Sequence, residues 1–168
     1  DGVMDVVIGG RSAVLKAIDG KTGTILWEFF EGTSTSAPRE AKWFNFYNPQ
    51  FIEDIDGDQV SDILVSNGGD VLVEPYDPNR PPGYLLVISG LTGKVLRKAL
   101  MPDGKETYLS PICFKPTPNS ETKVVFGTGG ETIGGNSFVV DLSDVLRNDI
   151  SGARQLSSSE NKGFIAPP

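Results

Sequence analysis

Four aspartates fall within the nine residues Asp54-Ile55-Asp56-Gly57-Asp58-Gln59-Val60-Ser61-Asp62. At relative positions one, three, five and nine they offer the hard oxygen donors that a divalent cation takes, and the main-chain carbonyl of Val60 adds a neutral one. Left empty, such a cluster repels itself. A donor set this rich in carboxylates suits Ca²⁺ better than Mg²⁺, which keeps more water and fewer charged ligands. The plainer alternative is a solvated acidic turn. Asp1 and Asp5 match Asp58 and Asp62 in spacing and context, so they read as the trailing half of a second, incomplete site. The equivalent stretch of a third copy, Lys115 to Lys123, has lost the carboxylate pattern, and no metal is expected there.

Other chemistries are poorly supplied. With no histidine and a single cysteine, Cys113, the chain has no imidazole catalysis, no His or Cys-rich metal site and no internal disulfide. Cys113 lies in an apolar strand without an activating base, which reads as a buried hydrophobe. Twenty-two acidic against fifteen basic residues, a net charge of −7, disfavour a grip on nucleic-acid phosphates. No apolar run approaches the roughly 20 residues of a membrane span, so membrane insertion is not expected. Glycine pairs such as Gly9-Gly10 and Gly68-Gly69 open no helix, and they read as turns leaving a strand rather than as phosphate cradles.

The elements that must hold the acidic loop come from a repeat. Asp1-Gly2-Val3-Met4-Asp5-Val6-Val7-Ile8-Gly9-Gly10 is echoed by Asp58-Gln59-Val60-Ser61-Asp62-Ile63-Leu64-Val65, which runs on to Gly68-Gly69. A third copy, Lys123 to Gly130, keeps the strand and the glycines. A second landmark runs in step: Ala17-Ile18-Asp19-Gly20-Lys21-Thr22-Gly23 answers Val87-Ile88-Ser89-Gly90-Leu91-Thr92-Gly93, each a strand leading into a Thr-Gly turn and another strand. The complete unit has four short strands, expected at about 48–53, 61–67, 84–89 and 94–100. Twenty glycines and twelve prolines supply the turns between them. One helical turn is expected over 141–147, capped by Ser143 or Asp144. The proline-rich stretch Glu74 to Pro82 is an insertion and reads as a surface loop. Trp43, Phe44, Phe46 and Tyr47 read as core between units rather than as an exposed patch, and Asn67 and Asp70 as candidates to line a central channel.

Four-stranded units repeating at this length are the signature of a β-propeller. The expected fold is therefore all-β: a β-propeller segment of about three four-stranded blades, truncated within a blade at both ends. The blades divide as a partial one at 1–45, a full one at 46–105, a third at 106–160 and the start of a fourth at 161–168. An open stack of blades leaves sheet faces and edges uncovered, so the chain reads as part of a longer protein.

The stretch Phe51 to Val65 resembles the FG-GAP repeat of integrin-α-type propellers. That resemblance implies Ca²⁺ in the loop between a blade's first two strands, held by Asp54, Asp56, Asp58, Val60 and Asp62. Where Gln59 stands the family usually has glycine, as Gly2 is in the first copy, so the backbone at Gln59 is expected to be either strained or left-handed. The run Ala17 to Trp27 resembles the PQQ-like propeller repeat, in which the tryptophan packs between neighbouring blades. Quinoprotein enzymes of that fold carry a vicinal cysteine pair, which this chain lacks, so the repeat does not bring the activity with it. The expected function is a non-enzymatic, calcium-binding module of a secreted or cell-surface protein, extracellular or periplasmic, that engages a protein or glycan partner alongside the rest of its propeller. The alternative is the propeller scaffold of a larger extracytoplasmic enzyme, a quinoprotein or a polysaccharide-active protein.

Overall fold

The computed structural model describes residues 2–29, 44–70, 73–74, 76–130 and 132–159. Among them eleven strands form three antiparallel sheets, and the single helix is α1 (Leu142–Leu146). The all-β expectation holds. Each sheet is a meander in which consecutive strands pair. The first contains β1 (Val6–Gly9), β2 (Leu15–Ile18) and β3 (Ile25–Glu28). The second contains β4 (Asn45–Phe51), β5 (Ile63–Gly68), β6 (Tyr84–Ile88) and β7 (Val95–Leu100). The third contains β8 (Ile112–Phe114), β9 (Lys123–Gly127), β10 (Asn136–Asp141) and β11 (Arg154–Ser158). Trp43, Asp1 and the stretch 161–168 lie outside the described residues.

The second sheet is packed on both faces. Ile63 and Val65 of β5, with Leu86 and Ile88 of β6, join Leu15, Ala17 and Trp27 of the first sheet. Leu64, Leu85 and Val87 face the other way, onto Val124, Phe126, Phe138 and Val140 of the third. Burial on both sides is why Ile63-Leu64-Val65 and Leu85-Leu86-Val87-Ile88 show no polar alternation. Each such side chain contributes roughly 1.5–3 kcal/mol on leaving water. Phe46 meets Phe29 edge-on at 4.8 Å between ring centroids and Phe44 stacks on Tyr84 at 6.5 Å, both buried, while Tyr47 is half-buried against Tyr108 at 6.1 Å.

The glycine pairs do more than turn the chain. The Phe46 N–H donates to the Gly10 carbonyl at 2.9 Å, and a Cβ on Gly9 would sit 2.9 Å from the Phe46 carbonyl oxygen. Gly68 lies as close to Thr107. At both places the missing side chain lets the segment leading into the next sheet pass against the end of a second strand.

Two boundaries differ from expectation. β4 begins at Asn45, before the aromatic run ends, because a bulge between Tyr47 and Gln50, with Asn48 at φ +23° and Pro49 beside it, breaks the two-residue period. The helical turn forms, but its N-cap is Asp141, not Ser143 or Asp144, and the Asp141 side chain makes no capping hydrogen bond. Its first amides find Thr122 and Glu121 instead, while the Asp141 carboxylate pairs with Lys123. Asn67 and Asp70 are buried among the described residues, at 0 % and 2 % exposure.

Helix α1 also covers an edge. Arg97 of β7 donates from Nε to the Leu146 carbonyl at 2.9 Å, and the Lys98 N–H donates to Asn148 Oδ1 at 2.9 Å. An edge strand that would otherwise invite another chain is thereby occupied.

The insertion from Glu74 to Pro82 is pinned by Arg80. Its Nε donates to Glu106 at 2.6 Å, and its two terminal nitrogens donate to the carbonyls of Val73, Glu74 and Asp70 and to the Tyr108 hydroxyl. All five N–H groups of the fork have acceptors. The loop is at the surface, as expected, with Tyr76 83 % exposed, yet it is held from beneath.

Candidate metal centre

The acidic loop joins β4 to β5, between the first two strands of the second sheet. Two backbone positions give it its curl. Gly57 has φ +83°, and Gln59 has φ +72°, the left-handed one of the two conformations expected there. Gly2, at the matching position of the first copy, has φ +86°.

The loop's own amides organise the carboxylates. Asp54 accepts the N–H of Gly57 at 2.7 Å on one oxygen and that of Gln59 at 2.8 Å on the other. Asp58 accepts the Val60 N–H at 2.8 Å, and Asp56 accepts the Asp58 N–H at 3.3 Å. One oxygen from each of Asp54, Asp56 and Asp58 then lies within 4.8 Å of the others. These three of the expected ligands are brought together. Val60 stands beside them at the loop's end, 37 % exposed.

Asp62 is placed differently. It is fully buried, with one oxygen accepting the Ile55 N–H at 2.8 Å and the other the Gly90 N–H at 3.1 Å, and it is not part of the three-carboxylate group. Asp5 repeats the second of these bonds, accepting the Gly20 N–H at 3.0 Å. The two aspartates are therefore latches. Each ties the start of a second strand to the turn between the third and fourth strands of its unit. Gly20 and Gly90 are the matching half of the latch, since a Cβ on either would overlap the carbonyl oxygen of Met4 or Ser61. The signal was present as two Asp–Gly pairs recurring in step. The turns they hold are also alike: Gly23 N–H bonds to the Asp19 carbonyl at 2.8 Å and Gly93 N–H to that of Ser89 at 2.9 Å.

Protonation behaviour separates the clustered carboxyls. The Gln59 amide, followed by other loop amides, holds Asp54 below the ordinary 3.8. Asp56 is held above it, first by loss of surrounding water and then by the charges of Asp58, Asp62 and Asp54. Burial likewise raises the thiol of Cys113, which is half-buried against the larger core.

The fold and site together define an all-β stack of three meanders with an oxygen-rich acidic loop at one end of its central sheet. Comparison with protein-family models, with curated proteins and with solved structures gives no match. No helix among the described residues is long and apolar enough to cross a membrane.

Proposed function

We propose that this chain is a calcium-binding, non-enzymatic β-propeller module of a secreted or cell-surface protein, acting in protein or glycan interaction. The observation that carries this reading is the convergence of Asp54, Asp56 and Asp58 on a loop whose own amides hold it. Ca²⁺ takes six to eight oxygens, so three carboxylates, a loop carbonyl such as that of Val60, and water would complete the shell. Extracellular calcium would keep a loop of the weaker, millimolar class occupied, which is why the reading is extracytoplasmic. The three sheets are read as propeller blades because each is an antiparallel meander packed face to face on its neighbour, with a glycine-rich turn after the second strand of each unit and the same Thr-Gly turn in the first two sheets. The Arg80-pinned loop, carrying Tyr76 outward, offers a partner a surface ordered in advance, which lowers the entropy lost on binding.

The raised pKa of Asp56 supplies a test. A group that holds its proton more tightly in the folded state than in the unfolded one makes the cation-free fold lose stability as pH rises through that raised pKa. For Asp54 the sign is opposite: its stabilisation is present above 3.8 and lost as pH falls through its lowered folded-state value. In chelator at neutral pH, Asp56→Asn is therefore expected to raise the melting temperature and Asp54→Asn to lower it. Millimolar Ca²⁺ should raise it more for the wild type than for either variant, because asparagine offers the cation a neutral oxygen in place of a charged one. Equal gains in stability from Ca²⁺ in the wild type and in both variants would remove the loop from consideration.

A further inference from the structure

The acidic loop and the tryptophan that joins the first two sheets meet on one turn. Between β6 and β7 the chain runs Ser89-Gly90-Leu91-Thr92-Gly93, closed by the Gly93 N–H on the Ser89 carbonyl at 2.9 Å and the Ser89 N–H on the Lys94 carbonyl at 2.8 Å. From the loop side two carboxylates reach this turn. Asp62, fully buried, accepts the Gly90 N–H at 3.1 Å, and Asp58 Oδ2 lies 3.5 Å from the hydroxyl of Ser89, itself 1 % exposed. From the first sheet comes Trp27. Its Nε1–H donates to the carbonyl of the same Gly90 at 2.7 Å, and its ring covers Gly93.

Gly90 is thus gripped on both of its peptide groups, the N–H by the loop and the carbonyl by the neighbouring sheet. The turn is also packed hard on the loop's end, since a Cβ on Gly90 would stand 2.0 Å from the Ser61 carbonyl oxygen. A movement that loosens one grip therefore disturbs the other. The two grips are also replaced together. Toward the third sheet, Arg97 stands at the register point of Trp27, and aligning Gly129-Gly130 with Gly68-Gly69 puts Lys123 where Asp62 stands. There Arg97 reaches the Leu146 carbonyl, and Lys123 pairs with Asp141 of its own sheet.

We infer that the loop between β4 and β5 governs, through Asp62 and Gly90, how firmly the first sheet is held on the second. A loop fixed in place presents the Gly90 carbonyl to Trp27; a loop released lets the turn and the indole part. Asp62 and Ser89 are positioning residues in this relay, acting on Trp27 through the turn. Two bonds that share one closely packed turn are not additive, and that non-additivity is the coupling an effector at the loop would exert on the first sheet. Calcium is the effector, and in this clause the inference rests on the calcium reading proposed above. The relay from Asp62 to Trp27 does not.

The test reads the indole N–H of Trp27 by NMR, its signal identified by its loss in Trp27→Phe. Asp62→Asn keeps the shape of the side chain but sets an amide NH₂ against one of its two backbone donors, Ile55 and Gly90. In chelator, the indole proton should then exchange roughly tenfold faster than in the wild type, about the worth of one hydrogen bond. Ser89→Ala, a milder cut at the same turn, should speed it less and serves alone should Asp62→Asn fail to melt cooperatively. The double variant Asp62→Asn/Trp27→Phe should lose less melting temperature than the two single losses summed. An additive double variant, or an indole proton that exchanges at the wild-type rate in Asp62→Asn and Ser89→Ala, overturns the relay. Saturating Ca²⁺, with binding followed by calorimetry, should slow indole exchange in the wild type and slow it less in Asp62→Asn. Binding heat with no change at the indole overturns the inference and leaves the calcium reading standing. No binding heat overturns the calcium reading and calcium as effector, while the double variant still decides the relay.

Discussion

Replacing Arg80 with methionine is expected to destabilise the fold by about 3–5 kcal/mol, the range for breaking a buried ion pair from one side. The pair is well buried, with the side chains of Arg80 and Glu106 only 5 % and 3 % exposed. Burial works against the guanidinium charge, but the hydrogen bond and charge of Glu106 prevail and hold its pKa above its ordinary value. Removing Arg80 strands a buried carboxylate and takes one donor each from the carbonyls of Val73, Glu74 and Asp70 at one stroke. Lysine should recover little, because a point charge cannot meet acceptors spread around a planar fork. Denaturant unfolding would measure the loss. The double variant Arg80→Met/Glu106→Leu should be more stable than Arg80→Met alone, since no unpaired charge is then left buried. If the two substitutions simply add, the pair is not coupled and the loop is anchored by other means.

Trp27→Ala is expected to cost about 3–5 kcal/mol, the range for truncating a large core aromatic. The indole is 9 % exposed and joins two sheets. Its Nε1 donates to the Gly90 carbonyl at 2.7 Å, and its ring lies over Gly93, where a Cβ would stand 2.5 Å from Cε3. Trp27→Phe should cost less, near the ~1 kcal/mol of one hydrogen bond plus some packing. Hydrogen exchange would show where the damage falls. The amides of β1, β2 and β3 should open at lower free energy than those of β5 and β6, because the second sheet keeps its other packed face. Equal loss of protection in all three sheets would mean that Trp27 does not act as the inter-sheet bolt.

The same position in the second sheet is Arg97, which the register sets opposite Val87 as Trp27 is set opposite Ala17. Its side chain reaches the carbonyl of Leu146 in the helix that belongs with the third sheet. A large side chain at this register point thus couples each sheet to the next, by ring packing in one case and a charged hydrogen bond in the other. The loss of tryptophan at Arg97 is visible in the sequence, but the retained task is not, because its acceptor is a backbone carbonyl 49 residues away.

That contrast describes what could be read in advance. β5, β6 and β7 lie close to their expected places because burial on both faces writes continuous apolar runs, and the recurring glycines mark their ends. The left-handed backbone at Gln59 was one of the two alternatives that Gly2 in the matching copy pointed to. The start of β4 was hidden by a bulge, which erases the alternation that marks a strand. The acidic loop was legible as a cluster, but not which carboxylates it gathers. An aspartate facing its neighbours and one facing backbone amides, as Asp62 does, are the same letter. The Arg80–Glu106 pair has no local period at all and spans 26 residues.

The central claim is that the loop between β4 and β5 holds a calcium ion, and the direct measurement is calorimetric titration of Ca²⁺ into chelator-treated protein, repeated with Asp56→Ala and Asp58→Ala. One site of micromolar to millimolar affinity, absent from both variants while each still melts cooperatively, is the predicted result. No binding heat in the wild type, together with an unchanged melting temperature in millimolar Ca²⁺, would contradict it and leave Asp54, Asp56 and Asp58 as a solvated acidic turn.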